Sequence, residues 1–125
     1  MASIRGLICN RFYSFLSLVS GAIPGALLRW QIGNDFLVNI IGSAILGFFF
    51  GVKLNKKYYL ILVVGFCGSF TTFSGWMADL LNLLSSNNLF SFFHLLAVQL
   101  FLAFVSAFLG FFLGRKLFRQ SSFDS

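Results

Sequence analysis

The residues best suited to chemistry in this chain lie at positions 65–76, where twelve residues include three glycines, two serines and two threonines. Glycine is costly inside a helix, and serine and threonine side chains compete for backbone hydrogen bonds. The segment lies within an apolar stretch, where non-helical backbone survives only if it faces protein or a wet cavity. A helix break here would leave main-chain oxygens and amides free to bind ions. The alternative is a continuous helix softened by glycine and serine.

The element that must position this segment is a bundle of membrane helices. Hydrophobic residues make up 58% of the 125 residues and charged residues only 10%, against about 25% charged residues in a soluble domain. We predict an all-α membrane protein with one four-helix domain over residues 1–125 and a third helix broken at mid-membrane. Its predicted spans are residues 12–29, 36–52, 58–84 and 90–114. A secretory signal peptide is the alternative for the first span.

The basic residues of the chain favour one orientation. If four spans cross the membrane, the N-terminus, the second loop and the C-terminus share a side, and Arg29 is the only basic residue on the other. By the positive-inside rule, both termini are predicted to be cytoplasmic. The shared side carries eight basic residues: Arg5, Arg11, Lys53, Lys56, Lys57, Arg115, Lys116 and Arg119.

Three of the predicted helices carry a small residue at every fourth position. Such stripes allow backbones to approach closely in lipid, where the hydrophobic effect does not bring helices together. Asn39 extends the second stripe, and a polar side chain inside a membrane is a functional candidate by default. The stripes are Ser17, Gly21 and Gly25, then Ser43, Gly47 and Gly51, and finally Ser106, Gly110 and Gly114.

Catalytic and proton-coupled functions find little support in the residue types. No nucleophile, base and orienting acid converge, because His94 and Asp79 are separate in the chain and the serines lack partners, so an enzyme is not expected. A small multidrug-resistance-type four-helix exporter is the alternative function. Exporters of that kind need a membrane-embedded carboxylate, and the chain has no Glu and no Asp in its first span. A purely structural subunit is a further alternative that ion-flux measurements would distinguish.

Two motifs identify a family. The sequence DFLVNIIGS at residues 35–43, followed by GFCGSFTTFS at residues 65–74, closely resembles the signature of the bacterial fluoride-specific ion channels of the Fluc (CrcB) family. The sequence GALLR at residues 25–29 is also similar to the end of that family's first helix. The resemblance covers essentially the whole chain in length, number of spans and order of motifs.

The resemblance implies an antiparallel dimer of the dual-topology type in the bacterial inner (plasma) membrane, which exports cytoplasmic fluoride and so reduces its toxicity. It also implies a structural Na⁺ at the dimer centre that is not transported, held by the backbone carbonyls of Gly68 and Thr71 from both subunits. A hard monovalent cation prefers oxygen ligands, and a two-fold axis would supply four carbonyls without a buried carboxylate.

The resemblance further implies a fluoride pathway lined by weak donors and electropositive ring edges. The family's second phenylalanine falls on Trp76 and a family threonine falls on Gly75, so this chain departs from the pattern at two positions. The expected pathway residues are Asn39, Thr72, Phe73, Ser74 and Trp76, with Gln99 and Ser106 as further candidates.

The charge bias points to a partner. Family members that form antiparallel homodimers insert in both orientations and need nearly balanced Lys and Arg, whereas this chain has eight basic residues on one side and one on the other. We therefore expect this chain to insert one way and to pair with a second homologous subunit of opposite charge bias.

Overall fold

The computed structural model describes the backbone of residues 2–121 and the side chains of residue 4 and residues 6–119. Arg5, one of the eight basic residues counted above, lies outside the described side chains. The described backbone is helical apart from short connections. Its elements are α1 (Ala2–Ile32), α2 (Asp35–Gly51), α3 (Lys56–Tyr58), a π-helix (Tyr59–Cys67), α4 (Gly68–Phe70), α5 (Phe73–Ser85) and α6 (Leu89–Ser121).

Three helical segments within the described residues are long and apolar enough to cross a membrane: Gly6–Ile32, Lys56–Ser85 and Leu89–Arg119. The second predicted span, α2, is an apolar helix of 17 residues. At 1.5 Å of rise per residue it extends about 25 Å, near the lower end of what a hydrocarbon core requires. The predicted all-helical fold is therefore confirmed for the described residues, with helices long and apolar enough to span a membrane, and the count of four spans stays a prediction.

The helices pack as two pairs, α2 with α6 and α1 with the π-helix. Glycines make both contacts close. A side chain added at Gly110 would meet the Ala44 backbone, and one added at Gly47 would meet the Ala107 backbone. In the other pair, a Cβ on Gly65 would lie only 3.2 Å from the Cα of Gly21. The predicted stripes are therefore contact surfaces between backbones, as expected where lipid surrounds the helices.

Several basic residues are gathered at one end of the bundle. A Cβ on Gly51, at the end of α2, would lie 2.8 Å from the backbone nitrogen of Arg115 in α6. The Lys57 Nζ atom lies 5.7 Å from the centroid of the Tyr13 ring in α1. These contacts bring the end of α2, the start of the π-helix, the first half of α1 and the end of α6 to the same side.

The helix after α3 is irregular and then stops. A π-helix over Tyr59–Cys67 widens the first half, and π-helical turns are rare features that often mark functional sites. The backbone then leaves helical geometry at Thr71, with φ −74° and ψ 151°, and at Thr72, with φ −137° and ψ 124°. Helix resumes at Phe73. The interruption lies within the glycine- and threonine-rich segment where the sequence predicts it.

We expect substitution at the α2–α6 contact to destabilise the fold. Gly110→Ala places a methyl group 2.9 Å from the Ala44 carbonyl carbon and closer to its oxygen, and overpacking of this kind costs about 1–3 kcal/mol. Equilibrium unfolding in mixed micelles measures the loss. Gly6→Ala is the matched control, because nothing lies within 4 Å of a Cβ at that position. Equal stability of the two variants would contradict the packing described here.

Candidate functional site

The helix break is held by one side chain from α2. The Asn39 Nδ2 atom donates to the Thr72 carbonyl oxygen at 2.9 Å, and the Thr72 backbone N–H donates to Asn39 Oδ1 at 2.8 Å. The amide thus replaces two main-chain partners that the broken helix lacks. Since Thr72 is only 8% exposed, its backbone groups would otherwise be costly to leave unpaired. Asn39 retains one of its two amide hydrogens, because only one is used in this pair.

The same hydrogen bonds free two carbonyl oxygens. In a continuous α-helix, each N–H would bond to the carbonyl four residues earlier, so Thr72 would pair with Gly68 and Gly75 with Thr71. Here the Thr72 N–H bonds to Asn39, and the Gly75 N–H bonds to the Thr72 hydroxyl at 3.3 Å. The carbonyls of Gly68 and Thr71 are therefore released from the helical ladder. These are the two carbonyls that the family resemblance assigns to Na⁺.

Gly68 and Thr71 have different surroundings. Gly68 is exposed on the single chain, and nothing lies within 4 Å of a Cβ built there. Thr71 is partly buried, and its hydroxyl donates to the Cys67 carbonyl at 2.9 Å. The Thr71 hydroxyl hydrogen is thus used within the helix, while the lone pairs of the backbone carbonyl and of the hydroxyl oxygen stay available to a cation.

Two hydroxyls lie together where α5 begins. Thr72 caps this helix, with its Oγ1 atom accepting from the Gly75 N–H, and Thr72 Oγ1 lies 3.2 Å from the Ser74 Oγ atom. The hydrogen bond between the two hydroxyls uses one of their two hydrogens. One O–H of the pair therefore has no partner among the described residues: it lies on exposed Ser74 if Thr72 is the donor, and on buried Thr72 if Ser74 is the donor. A single neutral O–H donor of this kind suits an anion that must bind weakly.

The aromatic residues that follow form an edge-to-face pair. The ring centroids of Phe73 and Trp76 are 5.8 Å apart, with 74° between the ring planes. Phe73 is 69% exposed. The buried indole Nε1 of Trp76 has no hydrogen-bond partner within the described residues. An N–H donor and electropositive ring edges thus lie within two residues of Ser74 in the chain.

The two further candidates of the fourth predicted span have different environments. Gln99 is 3% exposed, and its Oε1 atom has no partner in the part of the chain that is described. Ser106 Oγ lies 3.1 Å from the Ile40 carbonyl of α2 and 3.0 Å from the Ala103 carbonyl. The Ser106 hydroxyl therefore bridges two helices, whereas Gln99 has an unsatisfied buried oxygen like the unsatisfied nitrogen of Trp76.

One contact at the site is not anticipated by the sequence motifs. The carboxylate of Asp35 occupies the space that a side chain at Gly75 would need. The sequence does contain a sign of this contact, because Asp35 precedes Asn39 by four residues and therefore lies on the same face of α2. In the sequence, Gly75 stands out only as a departure from a family pattern.

Comparison with known proteins supports the family named by the motifs. The family profile of the CrcB-like protein, Camphor Resistance (CrcB), matches residues 16–111. A protein of Prochlorococcus marinus (strain MIT 9313) named fluoride-specific ion channel FluC 2 is 44% identical over 121 residues, which cover 97% of each chain. A protein of a second strain of Prochlorococcus marinus, named fluoride-specific ion channel FluC 1, is 39% identical over 94% of each chain. No solved structure matches this chain.

These findings bear on the predicted protein class. The relatives are named as ion channels, so the expectation that the chain is not an enzyme is confirmed. The channel names of the relatives and the apolar helices together indicate an integral membrane protein. With a profile match over most of its length and two relatives of nearly full coverage, this chain belongs to the CrcB family.

Proposed function

We propose that the chain is a subunit of a fluoride-specific ion channel of the bacterial plasma membrane that lets cytoplasmic fluoride leave the cell. The observation that carries the proposal is the break at Thr71 and Thr72, held by Asn39 and bordered by a free hydroxyl donor. A structural subunit would have no need for such a costly interruption at membrane depth. The channel names of the relatives favour this function over a multidrug exporter.

The proposed pathway follows the start of α5. Fluoride holds its water tightly, so the pathway must replace that water with several weak donors rather than one strong site. The remaining amide hydrogen of Asn39, the free hydroxyl hydrogen of the Thr72–Ser74 pair and the indole N–H of Trp76 would supply them. The ring edges of Phe73 and Trp76 would line the apolar part. Gln99 would contribute its amide from α6, whereas Ser106 would serve helix packing.

The residues present fit a structural Na⁺. The Gly68 and Thr71 carbonyls are released from helical bonding, and Gly68 is open on the surface of the single chain. In a two-fold, antiparallel dimer, both subunits would present this pair, which gives four neutral oxygens to a hard cation. When bound, Na⁺ would neutralise these inward-facing dipoles and hold the two interrupted helices together.

The proposed partner is a second homologous subunit that inserts in the opposite direction. The segments that carry the basic residues after α2, before the π-helix and near the end of α6 share one end of the bundle, which favours a single orientation of this chain. An antiparallel dimer would then need a subunit with the opposite bias.

Reconstitution tests both parts of this proposal. Liposomes that contain this chain with a co-expressed homologue from its source organism should release fluoride on addition of an ionophore, as measured with a fluoride electrode. Chloride release in the same liposomes should be far slower. Liposomes with this chain alone should show little flux, because the antiparallel partner is missing.

The outcomes separate the two claims. Robust fluoride flux from this chain alone would refute obligate pairing but support the channel. Lack of flux from both preparations, with folded protein verified by size-exclusion chromatography, would refute the channel. Equal fluoride and chloride flux would leave an anion channel without fluoride specificity.

A further inference from the structure

The carboxylate of Asp35 lies against the backbone of Gly75. A Cβ built on Gly75 would lie 3.1 Å from Asp35 Oδ1 and closer still to Oδ2 and Cγ. Real Cβ atoms do not tolerate such contacts, so a side chain at position 75 would displace the Asp35 carboxylate, which is the end of a flexible side chain, from this position. The missing side chain at Gly75 and the carboxylate of Asp35 are therefore two halves of one arrangement.

Asp35 and Asn39 act on the same helix start. Both lie on one face of α2, four residues apart, and Asn39 bonds to Thr72, the residue that caps α5. Gly75 is the third residue of α5, so the Asp35 carboxylate lies beside the first turn of that helix. The two side chains thus meet the start of α5 at adjacent points: Asn39 through hydrogen bonds to Thr72, and Asp35 through the close approach of its carboxylate to Gly75.

The charge occupies an electropositive location. Helix N-termini attract anions, because the first N–H groups are unpaired and the helix dipole points its positive end there. Asp35 is itself in the first turn of α2 and lies beside the first turn of α5, so two positive helix ends meet at its carboxylate. A free anion that reached the residues next to Gly75, which are Ser74 and Trp76, would encounter this fixed negative charge.

We propose that Asp35, accommodated by the missing side chain of Gly75, is a residue that sets the anion affinity of the channel. This inference rests on the function proposed above. The carboxylate neutralises the two helix ends and keeps fluoride from binding tightly at the start of α5. Conduction requires binding strong enough to admit the ion and weak enough to release it, and Asp35 lowers affinity at the position where helix ends and donors converge.

The charge is tested by fluoride flux at several fluoride concentrations, in whichever assembly of the wild-type chain conducts. Asp35→Asn keeps the shape of the side chain against Gly75 and removes its charge. We expect the half-saturating fluoride concentration to fall at least threefold and the flux well below saturation to rise at least threefold. Asp35→Ala, which also lacks an amide donor, should change both quantities in the same direction. Asp79→Asn is the matched control, because Asp79 is an exposed carboxylate further along α5.

An unchanged or weakened fluoride affinity in Asp35→Asn would overturn the proposal. So would a gain in Asp35→Asn that Asp35→Ala lacks, because the cause would then be the new amide donor. A gain of the same size in Asp79→Asn would also overturn it, since the effect would then come from total charge.

The steric half of the proposal has its own measurement, which does not depend on conduction. Gly75→Ala should lower the unfolding midpoint in detergent when Asp35 is present, and it should have little effect in an Asp35→Ala background. Equal effects in both backgrounds would overturn the proposal. If this coupling is found but no wild-type assembly conducts fluoride, the proposed function fails and the affinity role fails with it. If the wild-type assembly conducts fluoride but the Asp35 variants have unchanged fluoride affinity, only the affinity role is refuted.

Discussion

Replacing Asn39 with leucine should reduce fluoride flux at least tenfold in an assembly that conducts. The Asn39 amide supplies a partner to both the N–H and the carbonyl of Thr72, and leucine supplies neither. Leaving each buried group unpaired costs about 1–3 kcal/mol, so the extended backbone at the break would rearrange. The pathway would also lose the second amide hydrogen. Fluoride release from liposomes measures the flux, and the unfolding midpoint in detergent measures the stability.

Two control variants separate the effect of the Asn39–Thr72 hydrogen bonds from the effect of losing any polar side chain. Asn82→Leu removes an exposed asparagine from α5 and should change neither quantity. Asn39→Asp keeps an acceptor for the Thr72 N–H but places a second acceptor against the Thr72 carbonyl, so it should lie between wild type and Asn39→Leu when ionised. Wild-type flux in Asn39→Leu would show that the break does not depend on this side chain.

Removal of Na⁺ should have the second large effect. We assume that Gly68 and Thr71 bind Na⁺ in the folded assembly but not in the unfolded chain. The free energy of unfolding should then rise with Na⁺ concentration, by about 2.7 kcal/mol at one hundred times the dissociation constant. Protein dialysed into N-methylglucamine buffer should unfold at a lower temperature than protein in Na⁺ buffer of equal ionic strength. Fluoride flux should fall in parallel, because the interrupted helices lose their shared ligand.

A K⁺ buffer of the same ionic strength is the control for this measurement. A specific oxygen site should favour one cation, whereas general screening would act equally for both. Unfolding midpoints that are identical in the three buffers, after exhaustive dialysis, would contradict a structural Na⁺ and leave the released carbonyls without an assigned ligand.

The small-residue stripes predict some features of the helix packing and leave others open. Their four-residue spacing predicts faces for close helix contact, and Gly47 and Gly110 both meet the backbone of the opposite helix in the α2–α6 pair. The spacing does not indicate which stripe faces which, because any two such faces are compatible. The pairing of Gly21 in α1 with Gly65 in the π-helix emerges only from the packed chain.

The helix break at Thr71 and Thr72 likewise has one part that the sequence predicts and one part that only the fold decides. Glycine and threonine content predicts that helical bonding fails near Thr71, since these residues weaken or compete with the helical ladder. Which bonds replace the lost ones depends on a side chain 33 residues earlier, Asn39. The family motif predicts Asn39 as an anion donor, and in the fold one of its amide hydrogens and its oxygen hold the backbone of Thr72.

Composition, the length of the apolar stretches and the two motifs were enough to determine a helical membrane protein of the CrcB family with an interrupted helix, because these properties follow from local residue chemistry and from lipid as the solvent. Only the tertiary structure decided that Asp35 fills the space above Gly75, that Asn39 releases the Gly68 carbonyl, and that Ser106 bridges α6 to α2. These contacts join residues distant in the chain, and their geometry depends on how closely glycine lets the helices approach.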